Sequence, residues 1–149
     1  MRRARRAAGA GGPREARRPG EWVARQGWLV WALLIVLGGV LPLAQMFGWE
    51  ESDTLSLVSS ATHAVEYAVM AILFAVAWRW RVPGSTGLLP AAALSMALGL
   101  VVELIQGLLS YRDFSIADLA VNAAGIAVGL LLLVVARRLR EASGWSRRR

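Results

Sequence analysis

Four apolar stretches organise this chain, each near the ~20 residues that a helix needs to cross a bilayer. They run Trp28–Phe47, Val58–Trp80, Thr86–Leu109 and Phe114–Ala136. Polar residues inside them recur at helical spacing. The second stretch carries His63, Glu66 and Tyr67, the third Gly99, Glu103 and Gln106, and the fourth Asp118, Asn122, Gly125 and Gly129. Positions i, i+3, i+4 and i+7 share one face of a helix. Each set is therefore a stripe that can point inward while Leu, Val, Ile and Ala point outward. The pattern predicts an all-α, polytopic membrane protein, a four-transmembrane-helix bundle. A soluble four-helix bundle would need a polar face on every helix, and Trp28–Phe47 offers only Gln45. Pro42 is expected to kink or end the first helix, and Pro83 with Gly84 to mark the second loop.

Composition agrees with one such domain. Of 149 residues 56% are hydrophobic, and the mean hydropathy is +0.48. There is no cysteine, which excludes disulfides and thiolate metal sites. All 17 basic residues are arginine, and the net charge is +7. Their placement matters more than their number. Arg2, Arg3, Arg5, Arg6, Arg14, Arg17, Arg18 and Arg25 precede the first stretch, Arg79 and Arg81 stand at the end of the second, and Arg137, Arg138, Arg140 and Arg147–Arg149 follow the fourth. The first loop instead holds Glu50, Glu51 and Asp53. The positive-inside rule then predicts a multi-pass protein of the cell membrane, with both termini cytoplasmic and the first and third loops outside. It accounts for the basic ends without a nucleic-acid partner. Trp22, Trp28, Trp31, Trp49, Trp78 and Trp80 fall where interfacial tryptophans are expected. Residues 1–26 read as a disordered Arg-rich cytoplasmic tail on anionic lipid, 27–137 as the membrane domain and 138–149 as a second basic tail.

This topology converts spacing into depth. At 1.5 Å per residue, His63, Glu66 and Tyr67 lie roughly 7–14 Å below Val58, Glu103 and Gln106 ~5–9 Å from Leu109, and Asp118 and Asn122 ~6–12 Å beneath Phe114. The three stripes thus meet at one level under the outer surface, roofed by Arg112 in the third loop. An ionised side chain at mid-membrane costs ~2.5–3.5 kcal/mol on the insertion scale. Three unpaired carboxylates would cost on the order of 8–10 kcal/mol at the centre and less at their off-centre depth, still comparable with a whole-domain stability of ~5–15 kcal/mol. They must be paired, protonated, hydrated or coordinating something. Arg112 and His63 supply at most two positive charges for Glu66, Glu103 and Asp118, which leaves one negative charge uncompensated.

Plainer readings stand beside this one. Gly125 and Gly129 form a small-x-x-x-small pair, which packs helices closely. Asn122 suits an interhelical hydrogen bond, and Arg112 a salt bridge to Glu103 or Asp118. Asp113 suits an exposed loop position or a helix cap, and Ser115 the beginning of the fourth helix. His63 beside Glu66 is a proton-relay pair in form. His and carboxylates can ligate divalent metals, but the spacing matches no zinc motif, so neither a metal nor another cofactor is expected.

The residues Glu103–Gln106, Arg112, Asp113–Ser115, Asp118, Asn122, Gly125 and Gly129 resemble the second half of the VanZ-like membrane protein family, and His63–Tyr67 resembles its first-half His and Glu-Tyr pattern. The resemblance runs from Trp31 to Ala136, all four helices. It departs at Ala61 and Thr62, where the family often has a basic residue, at Ala64 for an aromatic, and at Ser110–Tyr111 for Pro-Gly. It implies a bacterial cell-envelope setting, since the founding member is associated with resistance to the glycopeptide teicoplanin. The leading expectation is a non-enzymatic site for a polar or anionic, lipid-linked envelope molecule. It would be built from His63, Glu66, Tyr67, Glu103, Gln106, Arg112, Asp118 and Asn122. The alternatives are an intramembrane acid/base or metal-assisted enzyme and a small proton- or cation-coupled transporter. A transporter would need a homo-oligomer, because four helices make a thin wall for a pathway.

Overall fold

Apolar surroundings offer no hydrogen bonds to a backbone, so an apolar chain closes them within helices. The computed structural model describes residues 19–41, 46, 48, 53–82 and 86–143, without the side chains of 19–25, 53–56, 80 and 81. Among these the chain is all-helical: α1 Pro19–Val40, α2 Asp53–Arg81, α3 Leu88–Gln106 and α4 Ile116–Ala142. Three helices are long and apolar enough to cross a membrane, and the apolar part of α1, Gln26–Val40, is shorter. At 19 residues, α3 is the shortest helix and still spans about 28 Å at 1.5 Å per residue, close to the ~30 Å hydrocarbon core.

The helix limits differ from the apolar limits in ways that local chemistry explains. Residues 19–26, expected in a disordered tail, belong to α1. Proline suits the first helical position, where its missing N–H is no loss. At its other end α1 stops at Val40; Leu41 precedes Pro42, a position that disfavours helical backbone. α4 continues through Arg137, Arg138 and Arg140 to Ala142, because arginine is a good helix former. The expected second tail therefore begins as helix. Residues 1–18, Pro42, Gln45, Trp49, Glu50, Glu51, Pro83, Gly84 and Arg147–Arg149 lie outside the described residues.

α2 is central and packs against α1, α3 and α4. Gly125 meets Ala64 and Gly129 meets Ala68, so α2 and α4 run in the same direction. Gly87 meets Ala75 and Gly99 meets Tyr67, while Trp28 meets Phe74 and Trp31 meets Glu66, so α3 and α1 run against α2. The core is mostly small or polar: Ala71, Ala75, Ala77, Ala91, Ser95, Glu103, Gln106 and Asn122, with Tyr67, Met70 and the aliphatics Ile35, Val102 and Ile126. Most other large aliphatics face out, as Leu89 at 80% exposure and Leu131 at 62%. A water-soluble bundle has the opposite arrangement, whereas close contact through small residues is how membrane helices associate. Gly87 enters α3 with φ +73°, a left-handed conformation that favours glycine. A Cβ there would also strike the Ala75 carbonyl.

Two of the tryptophans have partners on α2. The Trp28 ring stacks on Phe74 of α2 with centroids 4.8 Å apart. Trp31 donates its indole N–H to the Glu66 carbonyl at 2.9 Å. Both sit in the contact between α1 and α2, where the amphipathic indole supplies area and a donor.

Candidate functional site

The inward stripe of α3 is buried along its length: Ala91, Ser95, Gly99, Val102, Glu103 and Gln106. Its polar members meet residues of three other helices. The bare backbone of Gly99 lets the Tyr67 ring of α2 and the Asn122 amide of α4 approach together; a Cβ there would lie 3.2 Å from each. Tyr67 and Asn122 are each only 1% exposed, and Glu103 is 0% exposed. Tyr67 of the α2 stripe and Asn122 of the α4 stripe thus meet beside Gly99 of the α3 stripe, one turn from Glu103.

Glu103 also reaches the loop that follows its own helix. α3 ends with Gly107 donating its N–H to the Glu103 carbonyl at 2.9 Å. The chain then turns back, and the Ser115 N–H donates to Glu103 Oε2 at 3.0 Å. Ser115 caps α4, its Oγ accepting the Asp118 N–H at 3.1 Å. Asp118 sits in the first turn, where a negative charge suits the helix dipole. Asp113 is exposed and is not the cap.

Gln106 is spoken for. Its Nε2 donates to the Gly39 carbonyl at 2.9 Å, and Tyr111 donates its hydroxyl to the Val40 carbonyl at 2.5 Å. These two bonds tie the end of α1 to the end of α3 and the loop beyond. They use carbonyls near the end of α1, which have no partner further along their own helix. Gln106 is thereby a structural clamp as well as a lining residue.

The charged members stand around Glu103 rather than on it. The charges of Asp118, His63 and Arg112 all act on its carboxyl group, and His63 acts on Glu66. Glu66 and Glu103 both act on the Tyr67 hydroxyl. His63, Glu66, Arg112 and Asp118 are half-buried. Arg112 forms no direct ion pair with a described carboxylate, so the anticipated salt bridge to Glu103 or Asp118 is absent among the described residues.

The orphaned atoms follow from this spacing. Five buried side-chain atoms among the described residues have no hydrogen-bond partner: His63 Nδ1, Tyr67 Oη, Ser95 Oγ, Glu103 Oε1 and Asn122 Oδ1. Leaving one buried polar group unpaired costs about 1–3 kcal/mol. Ser95 is the member that sequence reasoning left out. It lies two turns before Glu103 in the same stripe, and that spacing was its only signal. No group of three or more His, Cys, Asp or Glu side chains among the described residues is placed to hold a metal ion.

Gly125 and Gly129 play the packing part. A Cβ on either would fall under 3.0 Å from backbone atoms of Ala64 or Ala68. The α2–α4 contact is therefore backbone against backbone, and it holds Asn122 beside Tyr67.

No curated protein and no solved structure matches this chain. A family model does: VanZ/LLP1, over residues 28–137. That match includes every polar residue of the cluster and both packing glycines, and the chain belongs to the VanZ/LLP1 family of membrane proteins.

Proposed function

We propose that the polar cluster binds the polar or anionic headgroup of a molecule of the bacterial cell envelope. Arg112 contacts the anion, since a guanidinium offers paired donors to phosphate or carboxylate. His63, Glu66, Tyr67, Glu103, Asp118 and Asn122 shape and polarise the pocket. The observation that carries this reading is the set of five unpartnered buried polar atoms. Purely structural networks satisfy their members, whereas these atoms are left for something else to bond. A cation or ligand amine would also supply the positive charge that the cluster lacks.

The test is binding of a polyprenyl phosphate by the purified full chain, followed by native mass spectrometry. Arg112→Ala weakens binding at least about tenfold, the loss expected when a charge-assisted bond is removed. Arg138→Ala makes the same charge change at an exposed site and leaves binding within about twofold. Equal loss in both variants, or loss in step with the yield of folded protein, would overturn the reading.

The reading places both termini in the cytoplasm and the 107–115 loop outside the cell membrane, as the arginine distribution suggests. The chain has no native cysteine, so single introduced cysteines report topology cleanly. Ser110→Cys reacts with an impermeant maleimide on intact cells, and Ala142→Cys reacts only after the membrane is opened. The reverse pattern would invert the orientation.

Glycopeptide resistance of the teicoplanin type rests on the family resemblance alone. It predicts a raised inhibitory concentration on expression in a sensitive host. An acid/base enzyme would use His63 and Glu66, one turn apart. Its metal-assisted form finds no three-ligand group among the described residues.

A further inference from the structure

A second feature lies at the opposite end of the bundle, between α2 and α4. A cavity of about 460 Å³ is lined by Val76, Arg79, Leu133, Ala136, Arg137 and Arg140. Three of these six are arginines and three are apolar, and the two kinds come from both helices. Arg137 is held in place: its Nη1 donates to the Thr86 carbonyl at 3.0 Å, just before α3. The Arg79 charge acts on Arg137, like against like. No described carboxylate pairs with any of the three. Repelling guanidiniums that share one cavity are stabilised by an anion between them.

The apolar wall decides which anion. Val76 and Leu133 are half-buried in the sides of α2 and α4. Arg79 stands at the end of the apolar run of α2, and Arg137 and Arg140 follow that of α4, with Val76 and Leu133 one turn further in; basic residues at the ends of apolar runs suit the headgroup level, and the apolar residues the hydrocarbon just inside it. We propose that this cavity is a site for an anionic phospholipid, its phosphate held by Arg79, Arg137 and Arg140 and its acyl chain against Val76 and Leu133. Basic pockets between membrane helices recognise lipid headgroups by this combination. The competing explanation is that Arg140 and its neighbours serve only the negative end of the α4 dipole. That account makes the arginines interchangeable and gives the apolar wall no role.

The two explanations separate in one titration. The full chain in detergent is titrated with phosphatidylglycerol, phosphatidylcholine or inorganic phosphate, and bound lipid is counted by native mass spectrometry. One phosphatidylglycerol is retained, and phosphatidylcholine is not. Arg79→Gln and Arg137→Gln each weaken binding about fivefold. Arg138→Gln changes the net charge equally but does not line the cavity, and it stays within about twofold. Equal losses from all three variants, or equal binding of phosphatidylcholine, would overturn the proposal. Displacement of the lipid by inorganic phosphate at equal concentration would overturn the assignment to a lipid. Arg79 is exposed, so its variant reads the site even if Arg137→Gln disturbs the start of α3.

Discussion

Gly125→Ala lowers the stability of the bundle by about 1–3 kcal/mol, the usual range for overpacking a close contact. Two opposing effects meet at this position. Alanine is the better helix former by about 1 kcal/mol, and that alone would stabilise α4. Against it, the new Cβ would lie under 3.0 Å from the Ala64 carbonyl carbon, oxygen and Cα. Backbone atoms cannot swing aside as a side-chain tip can, so α2 and α4 must move apart. The movement also spoils the meeting of Tyr67 and Asn122 over Gly99. Gly129→Ala acts in the same way against Ala68. Gly38→Ala is the internal control, because nothing lies within 4 Å of its Cβ. There the propensity term acts alone and the protein gains up to about 1 kcal/mol. Detergent or thermal unfolding followed by tryptophan fluorescence measures all three. If Gly125→Ala is as stable as Gly38→Ala, the helices do not pack backbone to backbone.

Glu103→Leu and Glu103→Gln separate the structural share of the cluster from its binding share. Glu103 is fully buried, with Oε2 accepting the Ser115 N–H and Oε1 unpartnered. Glutamine keeps an oxygen for Ser115, so Glu103→Gln remains folded within about 1 kcal/mol of wild type. It replaces the carboxyl group on which Asp118, His63 and Arg112 act, and it alters headgroup binding. Leucine leaves the Ser115 N–H without its acceptor, at a cost of about 1–3 kcal/mol. The melting order wild type, then Glu103→Gln, then Glu103→Leu is expected. A Glu103→Leu protein as stable as wild type would show that the bond to Ser115 contributes nothing. Buried charges can indeed be replaced by apolar residues at no loss when no partner is stranded. Here a partner is stranded, and that decides the sign.

The helices and their inward faces were legible because both are properties of single segments. A carboxylate among twenty apolar residues is visible wherever the segment ends up, and the spacing Glu103–Gln106 or Asp118–Asn122–Gly125 names a face without reference to any neighbour. The limits of the helices were less legible. Hydropathy reports where the surroundings change, whereas the backbone stops where a cap or proline stops it. Hence α1 ends at Val40, short of its expected apolar limit, and α4 runs past Ala136 to Ala142.

By itself the sequence determined that this is an all-helical, multi-pass VanZ/LLP1 membrane protein, with a stripe of polar residues on each of α2, α3 and α4. Only the tertiary structure decided what those stripes meet. Trp31 has the composition of an interfacial residue and became a clamp because Glu66 of α2 presents a carbonyl to it. Gln106 spends its amide on Gly39, while Glu103, Asn122 and Tyr67 each keep an unpartnered atom. Arg79 joined Arg137 and Arg140 around one cavity although more than fifty residues separate them. Periodicity belongs to one helix, but charge compensation and hydrogen-bond satisfaction depend on which helices pack together and how closely.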